Sequence, residues 1–220
     1  MRSRYILSIV LLSLLPFAAN ATTTTHLNYD AFVGHKKVAR AEFQIMRAGE
    51  EFEIQGEARA VGIANALTKW RSLFVAAGRF ILGQPVAEKY EVVQKKRNRE
   101  KRIELRDGVV SYERDGEDRG PRPKLDGMYL LSALFLSRDC DSPGQTIHDG
   151  KDPFQLHLVG TRAFDQPTPD GVVLQCEFEV VDEDNESAHA VVKLIEREGL
   201  KVPLEMELSG AVEGKLQLNL

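Results

Sequence analysis

Apolar and polar residues alternate with period two along most of the chain. In Ala41-Glu42-Phe43-Gln44-Ile45 the apolar side chains share one face. Phe52, Ile54, Gly56 and Ala58 do the same against Glu51, Glu53, Gln55 and Glu57. The pattern returns at Phe154, Leu156 and Leu158, and at Leu174, Cys176, Phe178 and Val180. It closes the chain with Val202, Leu204, Met206 and Leu208, then Leu216, Leu218 and Leu220. Strands with one packed and one wet face read this way, so the spacing predicts antiparallel sheet. Ala48-Gly49, Asp107-Gly108, Asp115-Gly116, Asp170-Gly171 and Glu198-Gly199 separate the runs, as tight hairpins require. Pro203 sits inside a strand pattern and lacks a ladder donor, which predicts an edge or a bulge there.

Two segments break the alternation. Over Gly62–Phe74, the apolar residues Ile63, Ala66, Leu67, Trp70 and Phe74 fall at helical spacing. Over Gly127–Ser137 nearly every side chain is apolar, and Asp126 is placed to cap a helix. A helix apolar on all sides must be covered on all sides. One sheet curled around it would do so. The prolines of Arg119-Gly120-Pro121-Arg122-Pro123-Lys124 predict a loop between these halves, with no domain boundary.

The N-terminus sets the compartment. Arg2 and Arg4 precede an apolar run from Tyr5 to Phe17, and Ala19-Asn20-Ala21 follows with the small-x-small spacing of a cleavage site. The run is shorter than the ~20 apolar residues of a membrane span. Residues 1–21 are therefore expected to be a signal peptide, and 22–220 a single β-rich domain exported to the periplasm and not membrane-spanning. In such a compartment an even cysteine count favours a Cys140–Cys176 bridge over two buried thiols.

Charge narrows the partners. The net charge of −4 offers no global attraction for nucleic acid. The run Lys95-Lys96-Arg97-Asn98-Arg99-Glu100-Lys101-Arg102 stands out in an acidic chain. On one strand, Lys95, Arg97, Arg99 and Lys101 would point the same way, a candidate contact for acidic lipid headgroups, a partner or the cell-wall polymer. The plainer reading is an edge strand guarded by charge. Candidate chemistry is sparse. Arg138-Asp139-Cys140-Asp141 with His148, Asp149 and Asp152 fits no closed zinc spacing and reads as a surface loop. Asp182-Glu183-Asp184-Asn185-Glu186 reads as an exposed hairpin tip rather than a calcium loop. There is no Gly-x-Ser-x-Gly and no Gly-rich phosphate loop. No catalytic residue, metal ligand or cofactor is expected.

Leu27-Asn28-Tyr29 with Gly34 and Ala39-Arg40-Ala41, then Glu57-Ala58-Arg59-Ala60-Val61-Gly62, form a recognisable succession. It continues through Gly78 to Pro85, Tyr90, Leu131-Ser132-Ala133-Leu134-Phe135-Leu136-Ser137-Arg138 and Lys201-Val202-Pro203-Leu204. The chain resembles, over nearly all of its mature length, an uncharacterised family of exported proteobacterial proteins. That family is similar in shape to periplasmic lipoprotein carriers of the half-barrel type. The resemblance implies a mainly β fold, a curled antiparallel half-barrel with about two short helices against its concave face. It also implies an apolar cavity and no catalytic residues. Trp70, Phe74, Tyr129 and Leu134 are the expected cavity residues, and a lipid, an acyl chain or an envelope protein the expected partner. The rival expectations are a structural or interaction protein with a filled core and, third, an envelope enzyme. A pocket of a few hundred Å³ separates the first from the second.

Overall fold

The structure, a computed structural model, describes residues 22–122, 124–141, 143–210 and 213–220. The expected export signal at 1–21 lies outside the described residues. The fold is mainly β with two short helices. The first eight strands follow one another as neighbours: β1 (Thr22–Val33), β2 (Lys36–Ala48), β3 (Glu51–Ala60), β4 (Trp70–Ile81), β5 (Gln84–Lys96), β6 (Arg99–Arg106), β7 (Val109–Arg114) and β8 (Glu117–Arg122). The chain then enters the opposite edge with β9 (Met128–Tyr129) and the helix α2 (Leu130–Leu136). It returns through β10 (Thr146–His148), β11 (Pro153–Ala163), β12 (Val172–Val181), β13 (Ser187–Arg197), β14 (Leu200–Gly210) and β15 (Gly214–Leu218), which pairs with β1. The fifteen strands of the described residues form one open sheet with β8 and β9 as its edges. Among the described residues, β9 and β10 are the one pair that runs parallel.

The alternation read from the sequence is the register of this sheet. Leu27 faces Phe43, Phe43 faces Gly56, Gly56 faces Phe74, Phe74 faces Val92, and Val92 faces Ile103. That row lines one packed face. Gly56 is where it needs a missing side chain: a Cβ there would lie 2.3 Å from Cδ1 of Phe43, whose ring covers the glycine. Phe43 in turn packs on Phe74 and on Phe135 of α2, with ring centres 6.0 and 4.7 Å apart. Phe135 also meets Tyr29, so α2 rests on the packed face of β1 and β2. Asp107-Gly108, Asp115-Gly116 and Glu198-Gly199 hold both central residues at positive φ, as two-residue hairpins demand. Leu82-Gly83 does so too, with Leu82 fully exposed.

Several expectations are corrected. The first helix, α1 (Gly62–Thr68), ends where Lys69 turns left-handed, and Trp70 and Phe74 belong to β4. Trp70 and Phe74 are four apart, a spacing that satisfies both periods, which is why the sequence reads as helix. α1 buries none of its residues. Met128 and Tyr129 form β9 ahead of α2, and Tyr129, not Asp126, occupies the cap position. Pro121 lies in β8 rather than in a loop, tolerated because β8 is an edge. β14 is an inner strand, so Pro203 marks a bulge and not an edge, with the register shifting between Lys193 and Leu194 opposite it. The Pro203 carbonyl accepts a hydrogen bond from the buried Tyr29 hydroxyl at 2.9 Å.

Candidate functional site

Between α2 and the strands β11 to β14 lies an apolar cavity of about 260 Å³. Its floor is the packed face of the sheet, where Cys176 pairs with Val192 and Val192 with Met206. Phe178, Ala190 and Leu208 form the next row. Leu130, Ala133 and Leu134 of α2 roof it, and Pro143, Ile147 and Phe154 close one side. Leu130, Leu134, Val192, Met206 and Leu208 are only half-buried, so the cavity opens to solvent. Among the described residues lining it, Asp139 is the one ionisable group. Two wider depressions, of about 530 and 590 Å³, lie elsewhere. The first is edged by Arg47, Glu51, Glu53, Arg79 and Glu88, and the second by His26, Glu42, Gln44 and Gln55, so neither offers a continuous apolar wall.

The bridge expected from the cysteine count is present. Cys140 and Cys176 form a disulfide with Cα atoms 5.4 Å apart. Its place explains what it constrains. Cys140 lies on the segment leaving α2, and Cys176 in the cavity floor, so the bond fixes one wall of the cavity to β12.

Of the four expected cavity residues, the structure brings only Leu134 to this site. Phe74 belongs to the aromatic cluster around Phe43, and Trp70 lies at the start of β4. Tyr129 is buried on the far side of α2, its ring centre 4.2 Å from that of Tyr90 and 4.2 Å from that of His148. No local pattern announces this trio, since His148 falls in a run that reads as a surface loop. In fact His148 is fully buried, and among the described residues neither ring nitrogen meets a hydrogen-bond partner. Burial pushes the imidazole below its ordinary pKa, and the nearby Asp149 charge opposes it only in part. The Tyr129 hydroxyl, also buried without a partner, is pushed up to about 12.

The basic run is not one strand. Lys95 and Lys96 end β5, Arg97 and Asn98 make the turn, and Arg99 opens β6. Arg97 adopts a φ of 56°, which reverses the chain and destroys the expected common face. Each of the four candidate contacts has an internal partner. Lys95 pairs with Glu100 at 2.9 Å, Arg99 with Asp115 at 3.5 Å and Lys101 with Asp149 at 3.8 Å. Arg97 donates from Nε and Nη2 to the Leu67 carbonyl at 3.0 and 2.5 Å, capping the end of α1. At the tip read as a hairpin, the Asp182 carboxylate accepts from the amides of Asp184 and Glu186.

No described helix is long and apolar enough to cross a membrane. No protein-family model matches the chain, and no curated protein matches it.

Proposed function

We propose that this is an exported, non-enzymatic domain of the bacterial periplasm that binds the apolar chain of a lipid or of a lipoprotein-like partner. The observation that carries the reading is the 260 Å³ cavity lined by aliphatic side chains and open at one side. Ligand sites are mostly apolar clefts with few polar groups. Catalysis would need two or more convergent titratable groups, and the described lining offers Asp139 alone.

The half-barrel shape is part of this proposal and has support in chain length. β8 ends at Arg122 and β9 begins at Met128, yet these strands are opposite edges of the sheet. Laid flat, fifteen strands about 4.8 Å apart would separate the edges by about 67 Å. Six residue steps reach at most about 20 Å. A curl that brings the edges together and wraps α2 resolves the mismatch, and the stacking of Tyr129 on Tyr90 of β5 is consistent with it. The periplasmic assignment rests on the N-terminal pattern and accords with the disulfide.

Titration of the purified mature chain with a fluorescent fatty acid tests the function. Saturable binding of one probe per chain, displaced by unlabelled fatty acid, is expected. A response that never saturates would leave a structural or interaction role instead.

A further inference from the structure

The helix α1 carries apolar residues that it does not bury. Ile63 and Leu67 lie one turn apart on it and are 76% and 61% exposed, and none of its residues is buried. A helix held in place by its own apolar stripe would turn those side chains inward. Here the backbone is held in other ways. The Val61 amide donates to the Val38 carbonyl of β2 at 2.9 Å, and Arg97 of the β5–β6 turn donates to the Leu67 carbonyl. The helix is thus fixed between the start of β2 and the β5–β6 turn with its apolar pair facing solvent. Val33, at the β1–β2 turn, adds a third exposed aliphatic side chain to this end of the sheet. The charge around it is one-sided. Residues 33–37, 61–70 and 95–100 carry seven lysines and arginines against one acid, Glu100, in a chain whose net charge is −4. Lys37, Lys95 and Arg99 are matched by Asp30, Glu100 and Asp115. Lys36, Lys69 and Lys96 are exposed and make no ion pair among the described residues. Lys36 opens β2 two residues before Val38, and Trp70, next to Lys69, pairs with Lys96 across β4 and β5. The three free cations therefore flank α1.

We propose that the α1 end of the sheet docks on the surface of an anionic lipid bilayer, with Ile63 and Leu67 entering the headgroup boundary and Lys36, Lys69 and Lys96 lying against lipid phosphates. Aliphatic side chains on a short exposed helix enter that boundary, while lysine stems follow them and keep their ammonium groups at the charged layer. A protein partner fits less well, because lysine is depleted at protein–protein interfaces, whereas a headgroup layer receives it without a matched partner. The docking surface goes beyond the carrier reading and does not depend on the cavity, so a chain that binds no fatty acid would still dock.

Trp70 is the chain's one tryptophan and adjoins α1, so its fluorescence reports docking. The mature protein is titrated with vesicles of phosphatidylethanolamine and phosphatidylglycerol, and with phosphatidylcholine vesicles as the neutral control. Saturable binding to the anionic vesicles alone is expected, weakened by added salt and accompanied by quenching of Trp70 by lipids brominated along the acyl chain. At about fivefold per lysine, the worth of one basic residue at an anionic surface, Lys69→Gln together with Lys96→Gln should weaken binding about 25-fold. Ile63→Ser together with Leu67→Ser should weaken it about tenfold. All four side chains are exposed, so each double variant should keep the thermal midpoint of the wild type. No binding to anionic vesicles, equal binding to neutral ones, or no loss in either double variant overturns the docking surface. Self-association that Ile63→Ser with Leu67→Ser abolishes, without vesicle binding, overturns it in favour of a second copy of the chain. Sedimentation with purified cell-wall polymer but not with vesicles overturns it in favour of a polyanion contact.

Discussion

Leu131 and Leu134 lie one turn apart on α2, and truncating each to alanine should have unequal cost. Leu131 is 3% exposed in the main core, whereas Leu134 is half-buried and faces the cavity. Each change removes three carbon atoms. Fully buried, they contribute about 2.4 kcal/mol at about 0.8 kcal/mol per carbon. For Leu131 the void left behind adds to this, giving about 3 kcal/mol within the range of 2–5 usual for such changes. For Leu134 about half the contacts are absent already, and the new space merges with an open cavity, so no closed void forms. About 1 kcal/mol is expected. Urea unfolding followed by tryptophan fluorescence reads both, with equal m-values required for the comparison. Saturating fatty acid should widen the difference, because ligand at a hundred times its Kd adds about 2.7 kcal/mol to a protein that binds it and less to a variant with a damaged cavity. Losses from Leu134→Ala as large as those from Leu131→Ala would mean that the cavity is filled in solution, and the carrier reading would lose its foundation.

Replacing both Cys140 and Cys176 by serine should lower stability by about 4 kcal/mol, the chain-entropy value for a loop of 36 residues. Thermal unfolding with and without reductant measures it, and a change under about 1 kcal/mol would show that the bond adds little to the fold. Gly56→Ala drives a methyl group to 2.3 Å from the Phe43 ring and should cost about 1–3 kcal/mol, a loss that Phe43→Leu in the same chain should reduce. For His148, burial holds the folded pKa below the unfolded value of about 6.5, so its contribution is complete above that pH and lost as pH falls through the lowered folded value. The urea midpoint should therefore begin to drop as pH falls below about 6.5, and His148→Phe should flatten that slope. A slope identical in the variant would assign it to other groups.

The strands were legible because a half-buried strand writes its period directly into the sequence. Glu51 to Ala58 shows both faces without any distant contact. The hairpins at Asp107-Gly108 and Asp115-Gly116 were legible for a similar local reason, since their residues tolerate positive φ. What was not legible depends on partners far along the chain. His148 is buried by Tyr129 and by the approach of β9 to Tyr90, contacts that no local pattern announces. The turn inside the basic run contains no glycine, so eight mostly charged residues read as one strand. The cavity belongs to the same class. The sequence announced an apolar α2, but it could not say which side of that helix would find a filled partner.

The two sides differ because of side-chain size. Toward β1 and β2, α2 presents Phe135 against Tyr29 and Phe43, and aromatic rings fill the space to contact. Toward β13, it presents Ala133 against Ala190 and Val192, and the space stays empty. A sealed void of 260 Å³ would cost about 6 kcal/mol at ~24 cal/mol per Å³, comparable to the whole stability of many domains. Small residues on both walls would be hard to retain against such a cost if the void were closed and idle. The half-exposed rim of Leu134, Met206 and Leu208 lowers the cost by letting solvent or an apolar chain enter. The disulfide opposes the remaining tendency to collapse, because it fixes the segment after α2 to β12 and so holds the wall at its distance from the floor. On this account the bond and the alanines form one device. Filling the gap with Ala190→Leu should stabilise the chain and abolish fatty-acid binding together, whereas a stabilised variant that still binds would separate the cavity from the function.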